Sequence, residues 1–194
     1  MHADFAVELG ADDETLEMPW AAERGSPRYY DLKSHPELLV HLEEAERVPE
    51  LAEFLCKVNS PRSPLETAKC DVWGSTEINP EEEVFESAHK FCSYVDFLFS
   101  NEPKRFSLPE HEHLARQLTQ LLRRAPEIAA AAEFLIRRCY YNAQNQIPGQ
   151  EEIRDGFYIT FYLFGYGKDE VRSRQNWAVG LKLIANAILQ LAAG

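Results

Sequence analysis

Two Glu-x-x-His sequences have the residue types and the spacing of a metal site. One is Glu86–His89 and the other is Glu110–His113. Residues three apart share a face of a helix, and in bundles that bind two metal ions such pairs project inward from two helices. Carboxylate and imidazole ligands suit iron, manganese or zinc. Glu86 and His89 are therefore candidate ligands of a transition metal, and a metal-dependent enzyme is one hypothesis for the function.

The second pair has a competing explanation. Ser107 and Glu110 match a capping box, in which a serine caps a helix and a glutamate three residues later reaches back to it. That interpretation predicts a helix that begins here, with His111 and His113 in a solvent-exposed first turn. It weakens the hypothesis of a centre shared by two helices.

Aromatic residues near the C-terminus form a second candidate site. Tyr158, Tyr162 and Tyr166 follow one another at steps of four, and Arg154 lies four residues before the first. Tyrosine combines an apolar ring with a polar tip and is enriched at binding surfaces. The candidate ligand or interface residues are Arg154, Tyr158, Tyr162 and Trp177, the last on a predicted C-terminal helix. The alternative is a half-buried seam whose hydroxyls bond within the protein.

The charge is distributed unevenly along the 194 residues. The net charge is −12, but residues 1–113 carry 25 acidic and 10 basic residues, whereas residues 114–194 carry 7 and 10. The basic residues are too sparse for a nucleic-acid groove, so we expect no nucleic-acid partner. The acidic part suggests a third function, an acidic decoy or inhibitor that neutralises a basic partner in a salt-dependent way.

The composition of the chain also indicates where in the cell the protein is located. Apolar residues make up 45% of the chain, as in globular proteins, but no apolar run is long enough to cross a bilayer. The acidic N-terminus does not resemble a signal peptide. The four cysteines form no CxxC pair, which favours reduced thiols. Of these, Cys139 is interpreted as a small buried residue. We expect a cytoplasmic protein with no membrane partner.

The elements that would position these residues are mostly predicted to be helices. Alternation in residues 3–9 and 16–20 predicts a small N-terminal hairpin, with a turn at 10–13, and Ala68, Cys70 and Val72 predict a third short strand. Apolar residues at steps of three and four, with start signals, predict the helices. The predicted helices cover residues 34–47 and 49–58, begin at Asn79, Ser107 and Pro126, and end the chain through Trp177, Leu181, Ile184, Ile188 and Leu191.

One segment fits two structures. In residues 150–167, Phe157, Ile159 and Phe161 would share a face of a strand, whereas Ile153, Phe157 and Phe161 would share a face of a helix. The length of the segment, its acidic start and Gly165/Gly167 at its end favour the helix.

These patterns together predict a mainly α protein. We expect one globular domain over 1–194, a helical bundle of six or seven helices with a minor N-terminal β element at 1–33 and a Pro-rich connection at 59–78. The alternative is an α+β fold with a small sheet. For function, the leading hypothesis is a cytoplasmic binding or protein-interaction module that forms a homodimer or binds another protein. The metal-dependent enzyme and the acidic decoy are the alternatives.

Overall fold

The computed structural model describes residues 1–10, 16–21, 28–79, 82, 85–143 and 152–192. A six-stranded mixed β-sheet lies at its centre, with the strand order β1-β5-β6-β4-β3 and with β2 also paired to β5. The strands are β1 (His2–Glu8), β2 (Leu16–Met18), β3 (Leu65–Ser75), β4 (His89–Phe99), β5 (Ala130–Ala143) and β6 (Glu152–Gly167).

The first two strands share one neighbour instead of pairing with each other. β1 runs parallel to residues 131–137 of β5, and β2 runs parallel to residues 139–141 of the same strand. The predicted N-terminal strands are therefore present, but the predicted hairpin is wrong; most of its turn lies outside the described residues. The remaining pairs, β5–β6, β6–β4 and β4–β3, are antiparallel.

Helices cover one face of the sheet, which we call the helical face. α5 packs on β6 and β4, α4 packs on β1, and α2 packs on α5. Phe134, Phe161 and Phe97 stack in the core of this layer. The helices are α1 (Glu43–Arg47), α2 (Pro49–Val58), α3 (Glu102–Arg105), α4 (Leu108–Arg123) and α5 (Glu170–Ala192), with a 3₁₀ helix at Pro36–His41.

The helices that bury only one face lie where the sequence patterns predict them. α2, α4 and α5 lie where helices were predicted, and Trp177, Leu181, Ile184 and Ile188 are all buried on the inner side of α5. An amphipathic helix has an apolar stripe that is visible in the sequence, because its outer side stays in water.

The described helices include none with both the length and the apolarity needed to span a membrane.

The predicted helical bundle is wrong, because three of its helices are strands. The segments predicted as helices from Asn79, from Pro126 and over 150–167 contain β4, β5 and β6, although parts of them, including Pro80, lie outside the described residues. The protein has an α/β fold whose sheet is much larger than the small sheet of the alternative. In β4, every residue from Phe91 to Phe99 except Tyr94 is buried. A strand buried on both faces lacks alternation, so periodicity does not separate it from a helix.

A glycine sets the distance between the sheet and its longest helix. A Cβ atom on Gly165 of β6 would overlap Trp177 N and Ser173 O of α5 and would lie 2.5 Å from Trp177 Cβ. The backbone of β6 therefore touches the backbone of α5 here, which only a residue without a side chain permits. Gly165 was predicted to end a helix, but its role is close packing.

Candidate functional site

The face of the sheet opposite the helices carries a set of tyrosines, and we call it the tyrosine face. Arg154, Tyr158, Tyr162 and Tyr166 are all on this side of β6, since side chains alternate along a strand and steps of four return to the same face. Arg154, Tyr158 and Tyr162 therefore share one face of a strand instead of a helix, with successive members about 13 Å apart along it.

The three predicted interface residues on this face are exposed to solvent to different extents. Tyr158 is buried and Tyr162 is half-buried. Arg154 is exposed, with its guanidinium 3.8 Å from the centre of the Phe106 ring and 3.2 Å from Glu102 Oε1. Tyr162 is therefore the member of the set best placed on the middle of the sheet to contact a partner.

Trp177 does not belong to this surface. It lies on α5 against the helical face and is fully buried. Its Nε1 donates to Ser93 Oγ at 2.9 Å, and its ring meets Phe91 edge to face at 4.9 Å. Trp177 is therefore a core residue. Of the four predicted interface residues, only Arg154, Tyr158 and Tyr162 lie on the tyrosine face.

One row of side chains crosses the tyrosine face from edge to edge. The strand registers place Asp4 opposite Glu133, Glu133 opposite Tyr162, Tyr162 opposite Tyr94, and Tyr94 opposite Asp71. We call these five residues the acid–tyrosine row. With neighbouring strands about 4.8 Å apart, the row spans about 19 Å from β1 to β3. Carboxylates at both ends thus flank two half-buried tyrosine rings, whose centres lie 6.0 Å apart.

The carboxylates of this row are poorly neutralised. Among the described residues, neither Glu133 nor Asp71 forms an ion pair, and Asp4 has only an exposed contact of 3.4 Å with Arg123. Partial burial, followed by the nearby charges of Glu8 and Asp4, raises the pKa of Glu133. Carboxylates that repel one another in this way favour the binding of an external cation.

A buried carboxylate lies beside the row. Asp96 of β4 is 5% exposed, and its Oδ1 accepts a hydrogen bond of 2.8 Å from Thr160 Oγ1 on β6. Burial raises the pKa of Asp96 to about 6, against the opposing effects of Thr160, Lys69 and Arg137. No described cation lies within ion-pair distance of it. A carboxylate that is this deeply buried and weakly compensated is typical of functional sites.

The row runs between two depressions of the surface. A cleft of about 500 Å³ at the β3 end is lined by Asp71 and Tyr94 of the row, together with Glu43 and Glu44. A shallower one of about 490 Å³ at the β1 end includes Asp4 and Glu133. The acid–tyrosine row thus ends in a depression at each edge of the sheet. Its carboxylates share the lining with Arg28 and Lys69 at the β3 end and with Arg123 at the β1 end.

A small second core closes one end of the tyrosine face. It consists of Leu16, Met18, Leu98, Cys139, Tyr141 and Tyr158. Cys139 is buried as predicted, and burial raises the pKa of its thiol to about 12, which keeps it protonated. Cys139 therefore serves packing, since a protonated thiol is a poor nucleophile.

The two predicted metal ligands do not lie on a helix. Glu86 is exposed in the segment before β4, with a φ of 47°, and His89 is the first residue of β4. The i, i+3 relation of a helix is therefore absent between them. Within the described ranges, no group of three or more His, Cys, Asp or Glu side chains is arranged to hold a metal ion.

The second Glu-x-x-His sequence also differs from its prediction. α4 begins at Leu108 as expected, but Ser107 makes no side-chain cap, and Glu110 pairs with Lys104 at 2.7 Å. His111 is fully buried between Phe99 and Phe157, not exposed. Its Nδ1 lies 2.8 Å from Ser107 O, and burial lowers its pKa. His111 is a neutral core residue.

Most of the row was not predicted from the sequence. Four members, Asp4, Asp71, Tyr94 and Glu133, were not candidates, and neither was Asp96 beside them. One signal was available: Tyr94 and Asp96 are polar residues two positions apart inside the apolar run FCSYVDFLF, as expected for one face of a buried strand. No signal in the sequence could place Glu133 and Asp71 in line with them, because register across four strands depends on tertiary pairing.

Comparison of the chain with protein-family models, curated proteins and solved structures gives no match in any of the three.

Proposed function

We propose that this protein is a binding module that takes a basic protein partner on its tyrosine face. The observation that carries the proposal is the acid–tyrosine row, which combines poorly neutralised carboxylates with two half-buried aromatic rings. Arginine and lysine side chains bind to both kinds of group, through charge-assisted hydrogen bonds to carboxylates and cation–π contacts with tyrosine rings. The proposal joins two hypotheses from the sequence, the interaction module and the acidic decoy.

The charge of the whole chain supports the same partner. With a net charge of −12, the protein attracts cationic molecules over long distances and repels acidic ones. The tyrosines then provide the short-range contact, since aromatic residues supply much of the binding energy at protein interfaces. The proposal includes the cytoplasmic location expected from the sequence, and formation of a homodimer stays a prediction.

Reversing two charges of the row tests this function. We expect the double variant Glu133→Lys/Asp71→Lys to retain at least about tenfold less basic partner than the unmodified protein, because each reversal turns an attraction into a repulsion. The measurement is retention of proteins from cell extract on the immobilised chain, eluted with a salt gradient. Binding that depends on the row should also fail at high salt.

A second double variant controls for net charge. Glu53→Lys/Glu112→Lys makes the same change of charge on α2 and α4, away from the tyrosine face. It should retain partner within about twofold of the unmodified protein, the usual effect of remote surface charges. Equal losses in both variants, or retention that is insensitive to salt, would show that the row is not the binding surface.

A further inference from the structure

β3 is an edge strand, and the first part of its outer edge is already bonded. Lys33 Nζ donates to Leu65 O at 2.9 Å, and Thr67 N donates to Asn59 Oδ1 at 3.0 Å. Trp20 Nε1 then reaches Ala68 O at 3.3 Å, next to a shift in register between Thr67 and Cys70. Side chains thus bond to three of the outward backbone groups up to the bulge.

Beyond the bulge, no described strand pairs with the outer edge of β3, whose central residue Val72 is 5% exposed. Val72 N donates to Asp71 Oδ1 at 2.7 Å, so this N–H points away from β4. In an antiparallel ladder every second residue points the same way, which directs the backbone groups of Cys70 and Gly74 outward as well. No described residue bonds to these groups of Cys70 and Gly74. Such an edge is a template for another strand.

The surroundings of this open edge are acidic and aromatic. Glu43, Glu44, Asp71 and Tyr94 line the cleft alongside it. Two cations also line the cleft, and both lie over aromatic rings, with Arg28 5.6 Å from the centre of Tyr30 and Lys69 5.0 Å from the centre of Trp20. None of the carboxylates of Glu43, Glu44 and Asp71 forms an ion pair with a described cation.

We infer that the edge of β3 at residues 70–75 accepts an extended segment of the basic partner as an added strand. The inference rests on the proposed function and extends it by naming the structure of the bound segment. Main-chain hydrogen bonds from Cys70 and Gly74 would hold the strand, as in other cases of strand addition. Alternate side chains of the segment would lie on the tyrosine face beside Asp71 and Trp73.

Charge decides against a second copy of this chain as the occupant. Two copies paired through β3 would bring the carboxylates of Asp71, Glu43 and Glu44 in each copy towards those of the other. Like charges opposed across paired strands destabilise the pairing, whereas lysine or arginine opposite Asp71 stabilises it. The added strand therefore comes from a basic chain.

Gly74 offers a substitution that blocks strand addition and leaves the charges unchanged. Gly74→Pro removes the outward N–H, whereas Gly74→Ala retains it, and the nearest atom to a Cβ there is Phe91 Cδ2 at 3.9 Å. The probe is an acetylated and amidated peptide of four Lys-Val repeats. We expect Gly74→Pro to weaken its binding about tenfold, the loss of one or two hydrogen bonds, and Gly74→Ala to change it less than about twofold.

Two further measurements make the outcome decisive. Bound Lys-Val peptide should slow hydrogen exchange at the Cys70 and Gly74 amides, and a Lys-Pro peptide of equal charge should bind about tenfold more weakly to the unmodified protein. The inference is overturned if the Lys-Val peptide does not bind, if both Gly74 variants bind it equally, or if the amides exchange unchanged.

The same titrations separate this inference from the proposed function. If Glu133→Lys/Asp71→Lys abolishes binding of basic protein and Gly74→Pro does not, the tyrosine face binds the partner without strand addition. If neither variant affects binding, both the function and the inference are wrong.

Discussion

Replacing Asp96 with asparagine is expected to raise the free energy of unfolding by about 2 kcal/mol at about pH 8. A rise in the pKa of this carboxyl from 3.8 to about 6 means that folding at high pH buries an unfavourable charge. That pKa shift alone corresponds to about 3 kcal/mol of unfolding free energy. From this we subtract about 1 kcal/mol for the burial of the amide protons that asparagine adds. Asparagine keeps an oxygen that can accept the hydrogen bond from Thr160 Oγ1.

The direction of the pKa shift determines how this difference in stability depends on pH. Because the pKa of Asp96 is raised by folding, its stabilising contribution is complete below the unfolded value of 3.8 and is lost as the pH rises through about 6. The unfolding free energy of Asp96→Asn should therefore exceed that of the unmodified protein by about 2 kcal/mol above about pH 7. Below about pH 4 only the cost of the amide protons remains, and the unmodified protein should be the more stable one by about 1 kcal/mol. Urea denaturation across this pH range measures it.

His111 also makes the stability depend on pH, and its effect must be separated from that of Asp96 in this experiment. Burial lowers the pKa of His111, so its contribution to stability is present above its unfolded pKa and is lost on acidification. This opposite effect is common to both proteins and cancels in the difference between them. A gap that does not change with pH, or an Asp96→Asn protein that is the less stable one above about pH 7, would contradict the role assigned to Asp96.

If the prediction holds, the unmodified protein sacrifices stability to keep a carboxylate beside the acid–tyrosine row. Proteins commonly retain such destabilising groups where they serve function. Asp96 adds negative charge at neutral pH to the surface that we propose binds a basic partner. Asp96→Asn should accordingly bind that partner more weakly while it unfolds at higher urea concentration.

Replacing Gly165 with alanine is expected to lower the free energy of unfolding by about 3 kcal/mol or more. The new methyl group would overlap Trp177 N and Ser173 O, which are backbone atoms of α5 and have no alternative rotamer. The helix would have to move away from β6, and Trp177 would lose part of its packing on Phe91. Urea denaturation monitored by tryptophan fluorescence measures the change.

Gly74→Ala is the matched control, because Gly74 also lies in a strand. Its added Cβ would meet only Phe91 Cδ2 at 3.9 Å, an ordinary contact. Alanine there should change the unfolding free energy by less than about 0.5 kcal/mol, the typical effect of a surface substitution. Similar effects of the two substitutions would mean that α5 does not lie against the backbone of β6.

The helices and strands that were predicted correctly share one property: only one of their faces is exposed to water. α2, α4 and α5 keep polar residues on their outer sides, so the apolar stripe repeats with the period of a helix. β1 and β3 are the edge strands of the main strand order, and their alternation was visible for the same reason. The shared face of Arg154, Tyr158 and Tyr162 was visible too, since a step of four residues returns to the same face of a helix or a strand.

The amino-acid sequence by itself determined the amphipathic helices, the edge strands, the excess of acidic residues and the set of tyrosines. Only the tertiary structure decided that residues 89–99, 130–143 and 152–167 form the centre of a sheet. Most residues of these segments are buried or half-buried on both faces, so their sequences are compatible with a helix until they pair with one another. The acid–tyrosine row exists only in that pairing, because hydrogen bonds between distant segments fix the register that brings Asp4, Glu133, Tyr162, Tyr94 and Asp71 into line.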